Sequence, residues 1–169
     1  VGGNEHAGGT AEPTPDGAAN GHVFRGVSDL VLDAKGRLAI PARHRDGLFV
    51  GGSGKLIVTA DLGGCLLVYP LVDWRPLERE LMSLSGFDAR IRSLQRLMVG
   101  HADEVDIDAA GRILVPPALR RYAGLDKRVV LVGQGRKLEL WDDAKWQAQI
   151  AQPISFPDGL PSGLEGLSL

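Results

Sequence analysis

This chain of 169 residues lacks a second cysteine. Cys65, alone inside the apolar run Cys65-Leu66-Leu67-Val68-Tyr69, cannot close an intrachain disulfide. It reads as a small buried hydrophobe in a protein of a reducing compartment. An excess of basic charge is missing too. The formal net charge is −2, so a polyanionic partner requires the cations to gather on one face. No uninterrupted apolar run approaches the roughly 18 residues of a membrane helix, which predicts a soluble globular protein with no membrane partner. The Gly-rich start has no apolar stretch and does not read as a secretory signal.

Catalytic and metal-binding patterns are also absent. His6, His22, His44 and His101 stand in unrelated contexts, and no two lie at ligand spacing. His44, flanked by Arg43 and Arg45, reads as a neutral surface residue. Gly51-Gly52-Ser53-Gly54-Lys55 resembles a phosphate loop only superficially. Phe49 stands where the first glycine belongs and Leu56 where Ser or Thr is required, so the stretch reads as a flexible connection. The expectation is a protein that is not an enzyme and needs no metal or cofactor.

What the chain does have is a repetition. Asp33-Ala34-Lys35-Gly36-Arg37-Leu38-Ala39-Ile40-Pro41 returns 75 residues later as Asp108-Ala109-Ala110-Gly111-Arg112-Ile113-Leu114-Val115-Pro116. Arg45 and Arg120 extend the match four residues past each proline. Each unit is too short to bury much apolar surface alone, so the two are expected to share a core. Such an internal pseudo-two-fold suits a double-helical or oligomeric partner.

Around the motif each unit has the same order. In the first, a strand over 23–32 leads through the turn 33–36 to a short strand, 37–40. A short helix opens at Pro41, and a strand pair follows at 55–60 and 65–69. In the second, a strand over 101–107, the turn 108–111, a strand over 112–115 and a helix from Pro116 lead to a hairpin turning at Gly133-Gln134-Gly135. Later landmarks repeat at an offset of 72, as Trp74 with Trp146 shows, so the first unit has the longer loop. Helices over 72–84 and 87–99 carry apolar stripes, with Arg75, Arg79, Arg90, Arg92 and Arg96 on a solvated face. The organisation predicted is a disordered extension, 1–22; a first half, 23–73; linking helices, 74–100; a second half, 101–152; and a flexible tail, 153–169.

The doubled Asp-x-x-Gly-Arg is the part that carries chemistry. Asp33 and Asp108 can bond their own turn backbones, and Gly36 and Gly111 accept positive φ. The arginine that follows each turn presents a planar fork suited to phosphate oxygens or to guanine O6 and N7. Arg37 and Arg112 are the candidate DNA contacts, with Lys35 and Arg43 beside the first. A plainer alternative is that Asp33–Arg37 and Asp108–Arg112 only stabilise their turns.

Val23-Phe24-Arg25-Gly26 followed by 32–45, and again 108–116, resembles the MraZ transcriptional regulators. The resemblance covers roughly 23–153 and includes Cys65 to Tyr69 with Trp74. It implies an α+β fold that is mainly β: a duplicated AbrB/SpoVT-like swapped-hairpin β-barrel with flanking helices. It also implies a bacterial, cytoplasmic, nucleoid-associated regulator that acts as a repressor in the family's usual manner. Such a protein binds repeated double-stranded DNA sites upstream of its own division and cell-wall gene cluster as a ring-shaped homo-oligomer. The family's Asp-x-x-x-Arg signature falls on Asp33 and Arg37, and on Asp108 and Arg112. Two departures stand out: the extension before Val23, and Ala110 in place of Lys35, which puts more positive charge on the first half. The same barrel serves as an antitoxin module in toxin–antitoxin pairs. A protein-interaction role through the leucine-bearing tail is the alternative reading.

Overall fold

The computed structural model describes residues 22–50, 52–159, 161–164 and 166–167. The expected extension lies outside them except for His22, as do parts of the tail. In chain order the elements are β1 (Phe24–Val31), β2 (Arg37–Ala39), α1 (Ala42–Leu48), β3 (Lys55–Ala60), β4 (Leu66–Pro70), α2 (Leu71–Ser83) and α3 (Ala89–Met98). The second half continues with β5 (Asp103–Asp106), β6 (Arg112–Leu114), α4 (Pro117–Ala123), β7 (Arg128–Gly135), β8 (Lys137–Asp142) and α5 (Asp143–Ile150). The fold is α+β, as the resemblance implied.

The strands form a six-stranded antiparallel sheet in the order β1-β7-β8-β4-β3-β5 and a separate ribbon, β2-β6. This order crosses the halves. β1 of the first pairs with β7 of the second, and β5 of the second pairs with β3 of the first. Exchanging each strand for its counterpart reverses the order and leaves it unchanged. The internal two-fold passes between Leu38 and Ile113 in the ribbon and between Leu67 and Glu139 in the β4–β8 ladder.

The shared sheet encloses apolar residues of both halves. On β3 and β4, neighbouring side chains point to opposite faces, and both faces are covered. Leu56, Val58, Leu66 and Val68 join one cluster with Leu38, Ile40, Ile113, Val115 and Leu119. Ile57, Leu67 and Tyr69 join the other with Cys65, Trp74 of α2 and Trp141. Neither half closes these layers alone. The buried hydroxyl of Thr59 donates to Met98 O at 2.5 Å, which ties α3 to β3.

Pro41, Pro70 and Pro116 all stand as the residue before a helix, with φ between −55° and −57° and ψ near 140°, so α1 begins at Ala42 rather than at the proline. Gly124 ends α4 at φ +65°, the left-handed conformation that glycine supplies at helix ends.

Two further expectations change. The β7–β8 turn is Gly135-Arg136, not Gly133 to Gly135, because β7 runs on to its pairing of Gln134 with Lys137. Gly133 lies opposite Gly26 instead, and a Cβ there would stand 2.4 Å from Arg25 N. Its missing side chain lets two strands approach. His44 is 2% exposed, not a surface group: its ring meets Phe24 edge-on with centroids 5.8 Å apart. Arg43 Nε donates to His44 Nε2 at 3.2 Å, and burial holds the imidazole pKa below its ordinary value, with the charges of Arg43 and His22 adding to this.

Candidate nucleic-acid interface

Each copy of the motif closes the same turn through one aspartate. Asp33 Oδ1 accepts the amides of Lys35 at 2.9 Å and Arg37 at 2.8 Å, and Oδ2 accepts Arg37 Nε at 2.7 Å. The backbone adds Gly36 N to Asp33 O at 2.9 Å and Asp33 N to Arg37 O at 3.0 Å. Asp108 repeats this with Ala110 N, Arg112 N and Arg112 Nε, each at 2.9 Å. Gly36 and Gly111 take φ of +83° and +76°, which non-glycine residues resist. Both carboxyls are held below the usual carboxylate range. The largest cause for Asp33 is the Arg37 amide, and for Asp108 the Arg112 amide.

Such an aspartate orients its arginine. One edge of the fork is occupied at Nε, while neither Nη of Arg37 or Arg112 has a protein hydrogen bond among the described residues. Turn stabilisation and display of the fork are compatible in this geometry, so the plainer alternative does not remove the other.

The ribbon sets where the forks point. Arg37 pairs with Leu114, Leu38 with Ile113 and Ala39 with Arg112. Leu38 and Ile113 are 0% and 1% exposed and face the core. Alternation therefore places Arg37, Ala39, Arg112 and Leu114 on the outward face, where Leu114 is 52% exposed. Arg37 and Arg112 form a diagonal pair there, about 7–8 Å apart by ideal sheet geometry.

The other predicted residues are less alike. Lys35 is exposed at the tip of the first turn, where the second turn has Ala110. Arg43 does not join the ribbon: its Nη2 donates to Val27 O at 3.1 Å and Ser28 Oγ at 2.5 Å along the β1 edge. The counterpart edge is acidic, since β5 carries Asp103, Glu104 and Asp106, with Lys55 pairing to the last two. Of the two turns, only the first carries a lysine at its tip.

Arg45 and Arg120, visible in the sequence only as an extension of the repeat, prove to lie against the turns. A Cβ on Gly36 would stand 2.5 Å from Arg120 Cζ, and one on Gly111 would stand 2.3 Å from Arg45 Nε. The turn glycines thus face protein rather than an open binding surface. Among the described residues no three His, Cys, Asp or Glu side chains group as metal ligands would, and no helix is long and apolar enough to cross a membrane.

A family model described as "MraZ protein, putative antitoxin-like" matches residues 23–97 and again 98–159. The "Transcriptional regulator MraZ" of Thiobacillus denitrificans is 57% identical over 148 residues, covering 87% of this chain and 100% of the relative. The protein of the same description from Nitrosospira multiformis is 56% identical over 147 residues, and that from Nitrosomonas europaea 52% over 148, each with the same 87% and 100% coverage.

Proposed function

The chain belongs to the MraZ family, and on that footing we propose that it is a sequence-specific DNA-binding transcriptional regulator. The observation that carries this reading is the outward face of the β2–β6 ribbon, on which Arg37 and Arg112 stand as a diagonal pair. A two-stranded ribbon fits the major groove, and each guanidinium matches O6 and N7 of a guanine or two phosphate oxygens. Arg37 is the principal contact. Lys35 adds a phosphate contact at the turn tip, Arg112 extends the surface, and Arg43 contributes charge from the β1 edge. The acidic β5 edge repels phosphate, so the ribbon meets DNA with one polarity.

One chain offers few cations, and its affinity for a single site is correspondingly low. A ring-shaped homo-oligomer on direct repeats in its own promoter engages several sites at once and gains by effective concentration. In this reading it represses its own division and cell-wall cluster and resides in the cytoplasm on the nucleoid.

A titration of labelled duplex carrying tandem sites, over a salt series, tests this. Wild-type affinity falls steeply with salt. Arg37→Ala is expected to lose about tenfold or more, the scale of one bidentate base contact. Unchanged affinity in Arg37→Ala removes the role assigned here and favours the antitoxin-type interaction module.

A further inference from the structure

Arg45 and Arg120 occupy equivalent places in the two copies of the motif, yet each lies on the turn of the other copy. The Arg120 guanidinium, from α4 of the second half, covers Gly36 of the first, with Cζ, Nη1 and Nε all 2.5–2.7 Å from where a Cβ would be. Arg45, from α1, covers Gly111 in the same way. The backbone repeats the crossing: Val115 N donates to Gly36 O at 2.9 Å, and Ile40 N donates to Gly111 O at 2.8 Å. Each turn therefore sits on the strand end and helix arginine of the opposite half.

The two seats are not equal. Arg45 Nε donates to Ile40 O at 2.9 Å, so that guanidinium is tied to the backbone. Arg120 Nε is buried and has no hydrogen-bond partner among the described residues. Arg120 borders a cleft of about 530 Å³ that Asp33, Ala34, Asp126 and Lys127 also line, so the two guanidinium groups differ in their surroundings.

We propose that Arg120 and Arg45 are positioning residues that act across the halves, Arg120 on the fork of Arg37 and Arg45 on that of Arg112. The proposal rests on the DNA-binding reading above. Its physical basis is a short rigid chain. The guanidinium plane sets the tilt of the turn at its glycine, the aspartate ties the turn to the arginine Nε, and the fork is thereby aimed. Base contacts tolerate only about half an ångström of misplacement, so a tilted turn loses the contact without losing the arginine.

The test is a set of crossed double-mutant cycles, read as affinity for a tandem-site duplex. Arg120→Met is expected to weaken binding by about tenfold, the scale of one bidentate contact. It costs nothing further in an Arg37→Ala background and keeps its full effect in an Arg112→Ala background. Arg45→Met shows the reverse pattern. In the Arg37→Ala background Arg120→Met leaves the salt slope unchanged, because Arg120 makes no phosphate contact of its own. Additivity of Arg120→Met with Arg37→Ala overturns the proposal. So does a salt slope reduced by a further one or so when Arg120→Met is added to Arg37→Ala, which makes Arg120 itself a phosphate contact.

Arg120→Lys, which keeps the charge and loses the plane, runs through the same cycle if the Met variant does not fold. If Arg37→Ala leaves binding unchanged, it is the DNA reading that fails. The brace is then judged by the nitrogen-15 shift of Arg37 Nε: a change on Arg120→Lys supports it, and no change overturns it.

Discussion

Leu38 lies opposite Ile113 in the β2–β6 ribbon, and each is the other's counterpart 75 residues away in the chain. The ribbon is the one place where both copies of the motif meet in register, and its inward pair fills the core that the halves share. The outward pair, Arg37 and Arg112, is held at its spacing by what lies beneath.

Leu38→Ala is therefore expected to cost about 2–5 kcal/mol, the range for deleting a fully buried leucine. Because the same side chain supports both halves, the loss appears as a shift of one cooperative transition. Urea unfolding followed by tryptophan fluorescence and by circular dichroism checks this. Two separated transitions would mean that the halves unfold independently, against the shared core.

Gly36 and Gly64 both stand in turns with φ near +80°, at +83° and +82°. A Cβ at Gly64 meets nothing within 4 Å, whereas one at Gly36 overlaps the Arg120 guanidinium. Gly64→Ala pays only for the left-handed backbone, roughly 1–2 kcal/mol. Gly36→Ala is expected to cost more, and Arg120→Ala in the same chain to relieve the excess. Equal melting temperatures for the two single variants would contradict the overlap.

His44 makes stability depend on pH. Its folded pKa is depressed, chiefly by burial, while in the unfolded chain it titrates at about 6.5. Above that value both states carry neutral imidazole and the native contact with Arg43 is intact. As pH falls below it, the unfolded state gains a proton that the native state refuses, and stability declines until the folded pKa is passed. Urea midpoints at pH 7.5 and pH 5 should differ in this sense, and His44→Gln should flatten the difference. An unaltered slope in the variant would assign the effect elsewhere.

Cys65 is 0% exposed, and burial, aided by the charges of Asp61 and Glu139, pushes its thiol far above the range of reactive cysteines. A thiol reagent is expected to label it only at the rate of opening or in denaturant. Rapid stoichiometric labelling of the native protein would place the residue outside the core.

The Asp-x-x-Gly-Arg turn was legible because it closes within five residues. Asp33 bonds backbone two and four positions on, and Gly36 alone takes the required φ. The apolar runs of β3 and β4 were legible as strands for a similar reason, and so was the apolar character of Cys65. The burial of His44 was not, because Arg43 and Arg45 beside it say nothing of Phe24, which comes from β1. Gly133 misled because a glycine needed for close strand approach has the same letter as one needed for a turn.

By itself the sequence determined the two copies, their turns and the forks that follow them, since these depend on contacts between near neighbours in the chain. Tertiary structure alone decided that β1 joins β7 and β5 joins β3, that Arg37 and Arg112 share one face, and that Arg120 and Arg45 each sit on the other half's glycine. β3 and β4 are buried on both faces, and the side chains that cover them come from both halves. That apolar surface is enclosed only when the halves combine, and no local spacing records it.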